Sequence, residues 1–307
     1  MTILVTGADG YIGRALVARL LQTRTDRLVL LDRQFANIRP DPRVRTLAGD
    51  FADPSTLRFA TEERIDQVFH LASIPGGLAE RDFELGLHVN LEGTIQLLEA
   101  LRRQGSVPRF VFASTIGVFG VPMPALVDES TVPEPTLSYG AQKLMGEILV
   151  KDYSRRGFIE GCALRLPGIV ARPPEPSGLL SAFLSNLFRE LAAGRTFTCP
   201  VSAEGKTWLM SRSRVVDNLL QGVALSPEQL QVQRVWLLPV LHASIGGIVD
   251  AVARVHGNHV LNNIRYEPNA ALQAQFANFP PLSCPQSVAA GFKHDGALEV
   301  LVERALE

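Results

Sequence analysis

The sequence predicts an α/β protein organised around a doubly wound parallel sheet, with a smaller C-terminal lobe. Three observations carry this. Short, continuously apolar runs alternate with amphipathic helical stretches through the first 167 residues, the pattern of a sheet buried on both faces. The first run is followed at once by a glycine-spaced turn, Thr6-Gly7-Ala8-Asp9-Gly10-Tyr11-Ile12-Gly13. Tyr139 and Lys143 stand one helical turn apart beyond the fifth run.

Taken in order, Ile3-Leu4-Val5 is the first strand. The helix after Gly10 places Ile12, Leu16, Leu20 and Leu21 on one face. Leu28 to Leu31, Val44 to Leu47 and Gln67 to Leu71 are strands two to four. One helix is expected from about Phe83 to Arg103, then a fifth strand at Phe110 to Ala113, a helix from Tyr139 to Arg155 and a sixth strand at Cys162 to Leu166. In such sheets ligands bind at the carboxyl ends of the strands. After Pro167 the pattern loosens. Prolines 173, 174 and 176 mark an irregular segment, a helix is expected from Leu179 to Ala193, and Pro239 and Gly246-Gly247 read as turns. The expected division is residues 1–167 for the sheet domain and 168–307 for a lobe that holds substrate, some of whose elements return to the main sheet.

The 307 residues suffice for a large core in one or two domains. Apolar residues make up 46% and charged residues 20%, and 30 basic side chains meet 31 acidic ones. That balance gives no electrostatic footprint for nucleic acid or an anionic membrane. No apolar run approaches the roughly 20 residues that span a bilayer, and no targeting segment precedes the first strand. Cys162, Cys199 and Cys284 are too few and too scattered for a disulfide framework or zinc site, which fits the cytoplasm. His242, His256, His259 and His294 have no metal-ligand spacing, so no metal is expected.

The glycine turn lies where a dinucleotide's phosphates need it. Gly7 permits the tight turn, Gly10 the approach of the pyrophosphate, and Gly13 close helix–strand packing. Asp9, Tyr11 and Ile12 complete the loop, and the helix N-terminus offers N–H groups to the phosphates. This is the Rossmann arrangement. Asp32 ends strand two, 19 positions after Gly13. A carboxylate there accepts the adenosine ribose hydroxyls and repels a 2′-phosphate, which favours NAD over NADP, although Arg33 beside it is a possible phosphate ligand. Asp50 and Phe51 follow strand three as candidates for the adenine amino group and ring plane. Asp50 can equally be the N-cap of the helix starting near Pro54. Leu71, Ala72 and Ser73 follow strand four, and Pro167 follows strand six, at the same end of the sheet.

Tyrosine is a weak base at neutral pH because its pKa is about 10. An ammonium beside it favours the phenolate, and Lys143 shares its helical face with Tyr139. Lys143 can also hold the nicotinamide ribose. Ser114-Thr115, at the end of strand five, offers a hydroxyl to orient the substrate oxygen. Asn90 is a candidate to bond backbone and water behind Lys143.

These motifs together resemble the extended short-chain dehydrogenase/reductase superfamily, which includes nucleotide-sugar epimerases and dehydratases. The resemblance covers nearly the whole chain: Thr6 to Gly13, Asp32, Gly49-Asp50, His70-Leu71-Ala72, Val89-Asn90, Ser114-Thr115 through Val118-Phe119-Gly120, Tyr139 and Lys143, and Leu164 to Pro167. The family's catalytic hydroxyl stands five positions before the Gly120-type glycine, which selects Thr115. Further segments, including Asp152 to Phe158, Cys199-Pro200-Val201 and Trp208 to Ser211, are similar to those of dehydrogenases of small sugar acids. Ile74 to Gly77 and Gly168 to Val170 depart from that pattern.

The resemblance implies oxidation of a sugar acid's 2-hydroxyl to a ketone with NAD. Tyr139 would act as base, Lys143 as its support and Thr115 as the oxygen's partner. It also implies a homodimer in which helices 83–103 and 139–155 pair with their copies. For the substrate, Ser73, Thr115 and Tyr139 are candidate hydroxyl partners, with Arg172, Arg212 and Trp208 from the lobe. The alternatives are a nucleotide-sugar epimerase or dehydratase using Lys206, Arg212 and Arg214 for a diphosphate, a dehydrogenase of L-threonine or uronate, and an NAD-binding protein without turnover.

Overall fold

The computed structural model describes residues 1–36, 40–174 and 180–307. Pro176 and the expected helix start at Leu179 lie outside the described residues. The chain divides into two compact units, and the division is not a single cut after residue 167. The first unit comprises Met1–Val118, Leu137–Arg165 and Leu219–Trp236. The second comprises Phe119–Thr136, Leu166–Asn218 and Leu237–Glu307.

The first unit is built on a seven-stranded sheet. Its spatial order is Val235–Leu237, Glu160–Leu166, Arg109–Thr115, Gln67–His70, Thr2–Thr6, Arg27–Asp32 and Val44–Ala48. Thr2–Thr6 pairs in parallel with both Arg27–Asp32 and Gln67–His70, so the winding reverses beside the first strand. Val44–Ala48 and Arg109–Thr115 extend the parallel pairing on either side. Ile3, Leu4, Val5, Leu30, Val68, Phe69 and Phe112 are wholly buried. Each such side chain contributes about 1.5–3 kcal/mol through burial, which explains why the strands read as unbroken apolar runs. The Leu219–Trp236 segment returns from the C-terminal half to this unit.

The helix expected over Phe83–Arg103 is not continuous. It runs as Phe83–Leu87, a π-helical turn His88–Glu92 and Gly93–Gln104. The Gly93 N–H reaches the His88 carbonyl across the wider turn. Gly105, with φ of 73°, closes the helix in the left-handed conformation. Helix Ser138–Arg155 is uninterrupted, and Gly146 in its middle lets the ring of Phe112 press against the backbone; a Cβ there would lie 2.6 Å from the ring.

In the second unit, Lys206–Ser211 lies between Leu241–Ser244, its antiparallel neighbour, and Gly168–Val170, its parallel one. Helices Ala182–Ala192, Ile245–His256 and Leu298–Leu306 supply Leu187, Phe188, Ile248, Val252, Leu301 and Val302 to one core. Gly246-Gly247 is not a turn. It lies in the first turn of helix Ile245–His256, where the Ser244 hydroxyl accepts from the Gly247 N–H. All three cysteines are buried and unpaired. Among the described residues no helix is long and apolar enough to cross a membrane.

Candidate active site

The glycine loop joins strand Thr2–Thr6 to helix Tyr11–Thr23. Gly7 adopts a φ of 68° and donates to the Leu31 carbonyl. A Cβ on Gly7 would sit 2.6 Å from the Ala72 nitrogen, and one on Gly13 2.1 Å from the Gly7 carbonyl oxygen. Both glycines are therefore required by backbone packing. No side chain caps the helix that starts at Tyr11, so its N-terminal dipole is left for an anion. This cradle fits a dinucleotide pyrophosphate.

Asp32 stands at the lip of the loop. Its Oδ2 accepts from the Asp9 N–H at 2.8 Å and its Oδ1 from the Arg33 N–H at 2.8 Å. Burial raises its pKa against those two hydrogen bonds, and the Asp9 charge adds to the rise. Asp50 and Phe51 fare differently. Asp50 accepts from the Ala52 N–H and meets His88 Nε2 at 3.3 Å, while the Pro54–Ala60 helix is capped by Asp53. The N-cap alternative for Asp50 is thus corrected by three positions. The Phe51 ring is buried edge-on to His70 and in the space opposite Gly93, where it has no open face for an adenine.

Beneath the reversal point, His70 is wholly buried between Thr6 Oγ1 at 2.6 Å and Thr94 Oγ1 at 2.9 Å. Burial lowers its pKa to about 3, so it is neutral at physiological pH. It ties the ends of two strands to the helix beyond. Thr6 Oγ1 also accepts from the Ala72 N–H, which fixes the start of the Leu71-Ala72-Ser73 loop.

Asn90 lies in the π turn and is 1% exposed. Its Oδ1 accepts from the Ile74 N–H and the Ser73 hydroxyl, and its Nδ2 donates to the Ile74 carbonyl and to Gln142. One amide therefore holds the loop after strand Gln67–His70 to the Ser138–Arg155 helix, between Tyr139 and Lys143 in sequence.

Tyr139, half-buried, opens that helix, and Gly76 passes its ring; a Cβ there would be 3.6 Å from it. Lys143, 2% exposed, donates to the Ala113 carbonyl at 2.9 Å. Its Nζ lies 4.7 Å from the centre of the Phe112 ring and 5.9 Å from that of Tyr139. Burial lowers its pKa to about 7. Thr115 Oγ1 accepts from the Gly117 N–H, which leaves its own O–H to donate elsewhere. Ser114 is turned away from this cluster, and its hydroxyl donates to Glu147 at 2.5 Å. Glu147, one turn beyond Lys143, takes a bidentate pair of hydrogen bonds from Arg165 at 2.9 and 2.7 Å.

Ser114 is thus a structural partner of a buried ion pair, whereas Thr115 accepts only the Gly117 N–H among the bonds of this cluster. The Glu147–Arg165 pair escaped the sequence reading. The signal for it was a carboxylate in register with Tyr139 and Lys143 on a face that must be buried.

In the second unit Pro167 is buried, and the Arg172 backbone N–H donates to the Ser185 hydroxyl. Arg212 begins the Arg212–Ala224 helix. Trp208 is wholly buried and gives its indole N–H to the Pro280 carbonyl, so it is a core residue with no exposed atom for a substrate.

Residues 3–208 match the family model described as the NAD dependent epimerase/dehydratase family. The chain is 38% identical to D-erythronate dehydrogenase of Cupriavidus necator, over all of this chain and 98% of that protein. It is 33% identical to D-erythronate dehydrogenase of Haemophilus influenzae, over all of this chain and 99% of that one. Among solved structures it is similar to one described as the nucleoside-diphosphate-sugar epimerase of Agrobacterium tumefaciens. That likeness has 33% identity, a TM-score of 0.90, and covers 98% of this chain and 92% of that chain.

Proposed function

The chain belongs to the NAD dependent epimerase/dehydratase family, and on that premise we propose that it oxidises the 2-hydroxyl of a D-erythronate-like sugar acid to the 2-keto acid. One observation carries the choice of substrate class. The similarity to two D-erythronate dehydrogenases runs through the whole chain, including the second unit, and not only through the cofactor-binding part that the whole family shares.

The glycine loop and the helix at Tyr11 would hold the pyrophosphate of NAD, Asp32 the adenosine ribose, and Tyr139 with Lys143 the nicotinamide ribose. Bound NAD supplies the hydride acceptor. Tyr139, as phenolate, takes the proton of the substrate hydroxyl. Lys143 beside it stabilises that phenolate when charged, and its pKa of about 7 lets it pass a proton on at neutral pH. The Thr115 hydroxyl donates to the oxygen that becomes a carbonyl. Asn90 keeps Ser73 and the Ile74 backbone in place beside the catalytic helix. Ser73 is the substrate contact proposed from the first unit, and Arg172 and Arg212 are the carboxylate ligands proposed from the second.

The protein acts in this reading as a cytoplasmic homodimer. Unpaired cysteines support the compartment. Exposed Phe83, Met145 and Ile148 support pairing of helices 83–104 and 138–155 with their copies.

The Agrobacterium structure favours a second reading, a nucleotide-sugar epimerase with Lys206, Arg212 and Arg214 toward the diphosphate. Arg214 lies 3.1 Å from Asp217, which weakens its part in that set. The test is a screen for NADH formation over four-carbon aldonates, L-threonine, uronates and sugar nucleotides. NADH from a four-carbon aldonate is expected. Conversion of a sugar nucleotide without net NADH would replace the dehydrogenase by the epimerase.

A further inference from the structure

Asp9 occupies an unusual place in the glycine loop. Its N–H is bonded to the Asp32 carboxylate at 2.8 Å, so the two residues adjoin. Its own carboxylate, 11% exposed, accepts from the Ala36 N–H at 3.1 Å. It therefore bridges from the start of the first helix to the segment after strand Arg27–Asp32. The adenosine ribose sits against Asp32 in this fold. A phosphate on its 2′-oxygen would stand beside Asp32, whose carboxylate holds the Asp9 N–H.

Two cations border the same place. Arg33 follows Asp32 directly and is exposed. Arg14 donates to the Asp9 carbonyl and brings Nη1 within 3.9 Å of the Asp9 carboxylate. An arginine beside each of these two carboxylates is a set that suits a phosphate monoester. Asp9 offsets it by facing Arg14 and by adding a second negative charge to that of Asp32.

We propose that Asp9 is a second determinant of cofactor specificity, whose carboxylate excludes the 2′-phosphate of NADP together with Asp32. The inference rests on the NAD reading of the site but not on the identity of the oxidised substrate. It gives a chain with Arg33 beside its ribose-binding acid a means of preferring NAD. The Coulomb repulsion that Asp9 raises against a phosphate of nearly two charges, at the surface of the protein, corresponds to about tenfold in affinity.

The test is direct binding of NAD and NADP to the full chain by calorimetry, without substrate. Wild type, Asp9→Asn, Asp32→Asn and the double variant are compared at about 0.05 and 0.5 M NaCl. Asn keeps an oxygen for the Ala36 N–H, so the charge alone is removed. The readout is the ratio of the Kd for NADP to that for NAD, in which any general loss of affinity cancels.

Asp9→Asn is expected to lower that ratio about tenfold at low salt and much less at high salt, with a further fall in the double variant. Asp9→Ser, which also retains an acceptor, should behave alike and serves if Asp9→Asn fails to fold. An unchanged ratio in both Asp9 variants, while Asp32→Asn moves it, would reduce Asp9 to a loop tie and overturn the proposal. A change of equal size at both salt concentrations would overturn it too, since that marks a change of shape. Wild type that binds neither nucleotide would defeat the NAD reading itself.

Discussion

Lys143→Met exchanges a buried ammonium for an apolar chain of similar length. In the wild type the charge is shut in against the Phe112 ring with the Ala113 carbonyl as acceptor, and no carboxylate among the described residues is bonded to it. Its pKa falls from 10.5 to about 7, equivalent to about 5 kcal/mol of folding free energy in the fully protonated limit. The sign follows from proton counting. The unfolded chain keeps this proton up to about pH 10.5 and the folded chain loses it near pH 7. Between those values the unfolded state binds more protons, so wild-type stability rises with pH.

The variant lacks this dependence. It forfeits the bond to Ala113, worth about 1 kcal/mol at every pH. Urea unfolding of cofactor-free wild type and variant at pH 7 and pH 9 checks the reasoning. The variant should be the more stable at pH 7, and its advantage should shrink by about 2 kcal/mol at pH 9. The buried thiols titrate alike in both proteins and cancel, and His70, whose pKa is lowered first by burial and second by the Lys143 charge, is neutral in the folded state of both over this range. Unfolding free energies that run parallel, with a gap changing by less than about 0.5 kcal/mol, would refute the placement of an uncompensated charge at Lys143.

Three further outcomes are expected. Tyr139→Phe keeps the ring and removes the proposed base, so turnover should fall by ~10²–10⁴-fold while calorimetry still detects NAD binding. Glu147→Ala removes the bidentate carboxylate of buried Arg165 and the acceptor of Ser114 and should cost about 3–5 kcal/mol in urea unfolding; a loss under about 1 kcal/mol would show that the ion pair is dispensable. Ile148→Glu places a charge on an exposed apolar helix face and should leave a monomer by light scattering at micromolar concentration if the proposed dimer seam is correct.

The sheet was legible because parallel strands buried on both faces have no polar side to interrupt them, as at Leu28 to Leu31 and Phe110 to Ala113. Gly7 and Gly13 were legible because the tight turn and close packing of the loop exclude any side chain. What sequence could not supply was direction and burial. Ser114 and Thr115 are adjacent, and only the strand's pleat sends one to Glu147 and leaves the other beside Gly117. Phe51 and Trp208 are aromatics near motif residues, and their enclosure depends on Gly93 and Pro280, distant in sequence. The transfer of residues 119–136 to the second unit had no local signal. Their strand, Val127–Asp128, pairs with Leu282–Ser283, more than 150 residues away.

The π turn at His88–Glu92 has a consequence for how this chain can vary in length. An α-helix advances about 100° per residue, so the extra residue held in the wide turn rotates everything after it relative to everything before it. Upstream, Gly86 faces Ala79 and Gln142; downstream, Leu97, Leu98 and Leu101 fill the sheet's core. The two stretches keep different phases, and Asn90 sits at the change of phase with both ends of its amide committed. Deleting one residue from His88 to Glu92 would restore an ordinary helix and turn one of those faces toward the wrong neighbour. The segment should therefore accept substitutions at its exposed positions, such as Glu92, yet reject insertions and deletions of a single residue, although the composition of the helix gives no hint of it.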